Sequence, residues 1–207
     1  IAGLWFLEAL NIPAAVADVM SAHLGNGVHL YEHGVISFCN QLANDCGVRT
    51  GMTVKEAANL LLTVDSDVRA PSETTNRTIM HTSEDGRHII ATDSIAFGTD
   101  ADTGKNVLVT AGHTGRSAVP YLLKCSPWGF ICSDGGKGMD NSGIIGLSIV
   151  EKSGLAGATV DAKLARMGSG LSHYYDGVIT AVNLHAKSRG VEIGMSASEA
   201  SLLLLEK

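Results

Sequence analysis

The sequence predicts an α/β protein: a mostly parallel sheet with flanking helices, built from two homologous copies, the first lacking its leading strands. Three observations lead there. From residue 106 the chain reads as strand, loop and helix three times in succession, the pattern that builds a parallel sheet. Glycine is abundant, at 24 residues, while aromatics make up 5%, a balance suited to tight strand-to-helix turns. A shift of 143 positions lays Ile1–Leu62 over Ile144–Leu205 without a gap and with 24 identities in 62 positions.

The positions that repeat explain each element. Segments 1–11 (IAGLWFLEALN) and 144–154 (IIGLSIVEKSG) read as helices, followed by short strands in AAVADV and AGATVDA. A Gly-x-Gly loop follows in both, Gly25-Asn-Gly27 and Gly168-Ser-Gly170. In GVISFCNQLANDCG (34–47) and GVITAVNLHAKSRG (177–190) apolar residues recur at three-and-four spacing, which predicts one helix in each, stopped by Gly47 or Gly190. The expected domains are 1–62 (truncated first copy), 63–87 (linker) and 88–207 (complete second copy). The linker is polar, carries Pro71 and runs into a turn at 84–87. Beyond it, 88–95 and 106–111 alternate or cluster as strands, 118–124 as a helix, and 129–133 and 156–160 as further strands.

Composition excludes several classes. With 45% hydrophobic residues and a net charge of −6 the chain is not disordered. No window approaches ~18 uninterrupted apolar residues, so no membrane helix is expected. Without a Lys/Arg cluster, nucleic acid is not an expected partner. The four cysteines form no CxxC pair and read as reduced thiols. No secretory signal is recognisable, so a cytoplasmic setting is the default. The first residue is Ile, which points to upstream sequence removed or not included.

Three loops should open together at the carboxyl edge of the sheet, where ligands of such sheets bind. The first, Gly112-His-Thr-Gly-Arg-Ser117, offers His113 as base and Ser117 as nucleophile, with Gly112, Gly115 and Arg116 facing substrate. The second, 134–143 (DGGKGMDNSG), sets Gly135 and Gly136 beside Lys137, as in loops whose amides converge on an anion. Asp134 and Asp140 there are candidates for acid–base chemistry or for Mg²⁺, and Asn141 and Ser142 for substrate contact or helix capping. The third loop, 161–170, contributes Arg166. In the first copy its charged tips are replaced: Arg166 by His23, Lys163 by Met20, Ser172 by His29. The remaining histidines, His81, His88, His173 and His185, read as surface or satisfied polar residues.

The stretch VTAGHTGRSA also resembles the glycine-rich turn of short-chain-type Rossmann dinucleotide enzymes, with Gly112, Gly115 and Ala118 at the small positions and Asp134 ending the next strand. That resemblance implies NAD(P) and an oxidoreductase, with the acid on the ribose; the Tyr-x-x-x-Lys pair of such enzymes is missing. The leading expectation is a hydrolase acting on a compact anionic small molecule. A non-catalytic binding protein or homo-oligomer, its copies paired pseudo-symmetrically, is the third reading.

Overall fold

A computed structural model describes residues 1–64 and 76–206, apart from the side chain of Ala2. The chain forms two compact units, Ile1–Thr74 with Gly138–Asp140 (unit 1) and Thr75–Lys137 with Asn141–Lys207 (unit 2).

Unit 2 is an α/β unit. Its strands are β3 (Arg77–Thr82), β4 (His88–Thr92), β5 (Val107–His113), β6 (Gly129–Ser133), β7 (Ala156–Val160) and β8 (Ile179–Val182), in that spatial order. β4 to β7 run parallel, and β3 and β8 close the two edges antiparallel. Its helices are α5 (Val119–Cys125), α6 (Ile145–Glu151), α7 (Gly170–Asp176), α8 (Leu184–Ser188) and α9 (Ala197–Glu206).

Strand alternation sorts the core into two layers. Ile90, Leu108, Phe130 and Cys132 face α5 and α6 through Leu122, Leu147 and Val150. Val107, Val109, Ile131, Ala158 and Val160 face the opposite layer of Ala186, Ala197, Ala200 and Leu204. Phe130, Leu108 and Leu122 are fully buried, each contributing roughly 1.5–3 kcal/mol of burial. Both helical crossovers, α5 and α6, lie on one face. The strand order is therefore monotonic, and no reversal of order marks a crevice.

Unit 1 contains α1 (Ala2–Ala9), β1 (Ala15–Ala17), α2 (Gly27–His33), β2 (Ile36–Cys39), α3 (Gln41–Asp45) and α4 (Val54–Leu61). β1 and β2 form a two-stranded antiparallel sheet, over a small core of Ile36, Ala43, Val48 and Ala57.

Two expectations are corrected. Segments 34–47 and 177–190 are not single helices; each is a strand followed by a short helix (β2–α3, β8–α8). Pairing with β1 or β7 extends the first residues. The side chains of Asn40 and Asn183 then cap the helix by accepting the Ala43 and Ala186 N–H groups, both at 3.0 Å. Residues 77–82, inside the stretch read as a linker, form β3, whose polar and apolar residues suit an exposed edge. Residues 65–75 of that stretch, Pro71 among them, lie outside the described residues.

Candidate functional site

At the carboxyl ends of β4 to β7 the loops of unit 2 are tied to one another through the main chain. Thr114 N–H donates to the Ser133 carbonyl at 3.2 Å, Gly146 N–H to the Thr114 carbonyl at 2.8 Å, and Gly168 N–H to the Ala111 carbonyl at 3.4 Å. Gly170 N–H donates to Asp93 Oδ1 at 2.8 Å. Gly115 packs so closely that a Cβ would lie 2.7 Å from His113 Nδ1 and 3.0 Å from the Ser142 carbonyl oxygen; only glycine fits there. The expected meeting of three loops at one edge thus describes their backbones.

The second loop owes its shape to Asp134. The residue is 3% exposed. Oδ1 accepts from Gly136 N–H at 2.9 Å and Ala162 N–H at 3.0 Å, and Oδ2 from Thr180 Oγ1 at 3.1 Å. These bonds hold a left-handed turn in which Gly135 (φ 62), Gly136 (φ 72) and Lys137 (φ 66) follow one another. Lys137 adopts that conformation at a cost of about 1–2 kcal/mol, offset by the bonds it permits. The amides are consumed within the turn: Gly135 N–H goes to Ser133 Oγ, Gly136 N–H to Asp134 Oδ1, Lys137 N–H to the Asp134 carbonyl. The amide cradle for an anion is therefore closed, and the carboxylate is too enclosed to reach a ribose hydroxyl.

His113 ends β5, half-buried. Gly115 N–H donates to its Nδ1 at 2.9 Å, so the neutral ring carries its proton on Nε2 and presents a donor. Burial pushes its pKa below the usual imidazole value of 6.5, which favours that neutral form. Ser117 is exposed and makes no hydrogen bond with His113. The base–nucleophile pair expected from the sequence is not formed in this conformation.

Arg116, Lys137 and Arg166 are exposed. Unit 2 has five described arginines. Three have partners: Arg77 in Asp102 and the Phe97 carbonyl, Arg189 in the Trp128 and Leu204 carbonyls, and Arg87 in Asp85, an exposed pair two residues apart. Among the described residues the guanidinium groups of the other two, Arg116 and Arg166, make no hydrogen bond or ion pair, and both stand on the rim loops. Asn141 is exposed and left-handed (φ 57), while Ser142 is buried. Neither caps α6, whose N-cap is Ile144 without a side-chain bond. Asp140 belongs to unit 1, where its Oδ2 lies 2.8 Å from His23 Nε2.

Sequence reasoning passed over two groups. In unit 1 the rings of His23, His29 and His33 stack at centroid distances of 4.2 and 4.5 Å; the i,i+4 spacing of His29 and His33 signals this pair on α2. Burial lowers the His29 pKa, and the neighbouring His23 and His33 lower it further against a smaller opposing effect of Asp140. In unit 2, Asn76, Arg77, Asp93 and Ser169 line a polar cavity of about 380 Å³. His173, read as satisfied, is fully buried with Nδ1 bonded to the Ser169 carbonyl at 3.0 Å and Nε2 unpartnered among the described residues. No set of three His, Cys, Asp or Glu among the described residues is arranged to hold a metal ion, and no described helix is long and apolar enough to cross a membrane. No family model, curated protein or solved structure matches the chain.

Proposed function

We propose that unit 2 binds a compact anionic small molecule, an ester bearing a carboxylate or a phosphate, on the rim at the carboxyl ends of β4 to β7, and hydrolyses its ester bond with His113 as the hydrogen-bond donor to the leaving oxygen. The observation that carries this reading is the contrast among the arginines: those elsewhere in the unit have hydrogen-bond partners, while Arg116 and Arg166 on the rim loops have none among the described residues. Exposed guanidinium groups on ordered loops suit bidentate recognition of carboxylate or phosphate, with Lys137 adding a point charge. The Nε2–H of His113 would hydrogen-bond to the leaving oxygen, and the attacking water would pass its proton to that oxygen as the ester bond breaks, so that the ring stays neutral throughout. Asp134 serves this site by shaping its loop.

Calorimetric titration with inorganic phosphate and with malonate tests the binding. Wild-type protein should bind one of them, and Arg116→Ala or Arg166→Ala should weaken it by about tenfold, roughly 1.4 kcal/mol, with unchanged melting temperature. Equal binding by all variants would overturn the assignment.

A second part of the proposal concerns ancestry: residues 1–62 and 144–205 descend from one element, the first copy lacking its leading strands. The support is that equivalent residues hold equivalent bonds at a constant displacement of 143 residues. β1 pairs with β2 as Ala15↔Cys39, Val16↔Phe38 and Ala17↔Ile36; β7 pairs with β8 as Ala158↔Val182, Thr159↔Ala181 and Val160↔Ile179, with the irregularity at the same step. Glu8 receives Gln41 N–H as Glu151 receives Leu184 N–H. Parallel losses of stability in Asn40→Ala and Asn183→Ala would fit; a loss in one alone would speak against it.

A further inference from the structure

In unit 2, β7 is covered along its outer edge by β6, and all five of its residues are buried. The matching strand of unit 1, β1, is only partly buried, and among the described residues it pairs with β2 alone. Beside it lies a cavity of about 460 Å³ lined by Ala15, Val16, Ala17, Asp18 and Val19 with part of the following loop.

We infer that the open edge of β1 is a docking site for an extended polypeptide segment of the β6 kind: an apolar parallel strand ending in Ser/Thr-Asp-Gly, supplied by polypeptide outside residues 1–207. The inference uses the matched geometry of the two stretches and does not require their common descent.

The edge presents the right groups. Ala14 turns both its N–H and its carbonyl toward Asn40, which accepts the first through Oδ1 at 3.0 Å and donates its backbone N–H to the second at 2.9 Å. Strand alternation therefore aims the Ala15 N–H at the open side. In unit 2 the acid that follows β6 is held from outside its own loop by two donors, Ala162 N–H and Thr180 Oγ1. Their counterparts at a displacement of 143 residues are Val19 N–H and Ser37 Oγ. Ser37 Oγ rests 3.2 Å from the Val16 carbonyl, as Thr180 Oγ1 rests 3.3 Å from the Thr159 carbonyl. Val19 N–H has no acceptor among the described residues, whereas its carbonyl receives Met139 N–H at 3.3 Å. The donor pair that fixes an aspartate in unit 2 is thus in place in unit 1 with no aspartate between its members.

The edge also sets a size limit. Phe130 of β6 faces Gly157, where a Cβ would lie 2.2 Å from its ring. The counterpart of Gly157 is Ala14, whose Cβ fills that space. The docking strand must carry a residue smaller than phenylalanine at this position, such as valine. A second copy of the chain is a poor source, because its own β6 lies in the middle of a six-stranded sheet.

The test uses the full chain and a labelled synthetic peptide of residues 127–137 carrying Phe130→Val, read by fluorescence anisotropy. Saturable binding is expected, with the Phe130 parent peptide clearly weaker. Ala15→Pro in the protein removes the edge donor and should abolish binding. Ser37→Ala should weaken the peptide about tenfold yet leave unchanged the affinity of a peptide that also carries Asp134→Ala, because the lost bond is the one to that carboxylate. Circular dichroism of Ala15→Pro checks folding, and the Ser37/Asp134 cycle stands without it. Absence of saturable binding, equal binding by Ala15→Pro in its folded state, or no coupling between Ser37 and the peptide aspartate would each overturn the inference. So would dimerisation of the chain alone that Ala15→Pro dissolves, since the occupant would then be a second copy.

Discussion

Replacing Asp134 by alanine should destabilise unit 2 severely. The substitution strands two backbone donors, Gly136 N–H and Ala162 N–H, that meet Oδ1 at 2.9 and 3.0 Å. The third donor is not stranded, because Thr180 Oγ1 also reaches the Thr159 carbonyl at 3.3 Å. Both donors are part-buried, so each orphaned one costs toward the low end of about 1–3 kcal/mol. The left-handed turn through Lys137 also loses the bond that offsets its conformation. Together these give a loss of about 3–5 kcal/mol. At about 3 °C per kcal/mol for a unit of this size, scanning calorimetry should show the unit 2 transition falling by about 10 °C. Asp134→Asn keeps one acceptor oxygen and should lose about half as much. A fall below about 3 °C for Asp134→Ala, or a larger fall for Asn than for Ala, would refute the structural role given to this carboxylate and return it to the list of groups free for chemistry.

Further expectations concern packing and protonation. Gly157→Ala drives a methyl into the Phe130 ring and should cost about 2–3 kcal/mol in urea unfolding; combined with Phe130→Leu the loss should be less than the sum of the two, and strict additivity would contradict the contact. Burial raises the pKa of Asp102, but bonds from Arg77, Asn106 and Thr99 outweigh it and hold the carboxyl below its ordinary 3.8. Its stabilising effect is therefore present above that value and lost as pH falls below about 3.8, and Asp102→Asn should flatten the acid limb of a melting-temperature profile. His113, held below 6.5 by burial, prefers the neutral ring in the folded state, so this contribution to stability is lost as pH falls from about 6.5 through the folded value. An NMR titration should place its midpoint below 6.5; a midpoint at or above 6.5 would contradict the neutral donor.

Much of unit 2 was legible because its elements are strongly punctuated. The strand 129–133 was read with its observed ends, since a short, mostly apolar run between a helix end and a glycine loop has few alternatives. β2 and β8 were missed because three apolar residues and one hydroxyl residue followed by a capped five-residue helix imitate helical spacing; only the partner strand decides. Asp134 looked like chemistry because an acid in a glycine-rich loop has that signature, and the donors that enclose it come from Ala162 and Thr180, distant in sequence. The tautomer of His113 depends on a backbone amide two residues on, a contact made by a turn that periodicity does not report. The His29–His33 pair, by contrast, was readable from spacing alone.

The most direct measurement is phosphate titration of isotope-labelled protein at fixed ionic strength, following backbone amide resonances. Saturable shifts confined to 112–117, 134–137 and 161–170, and absent from Arg116→Ala/Arg166→Ala, are expected. Shifts spread evenly over exposed lysines, or a rim that does not respond, would contradict an anion site at the carboxyl edge of the sheet.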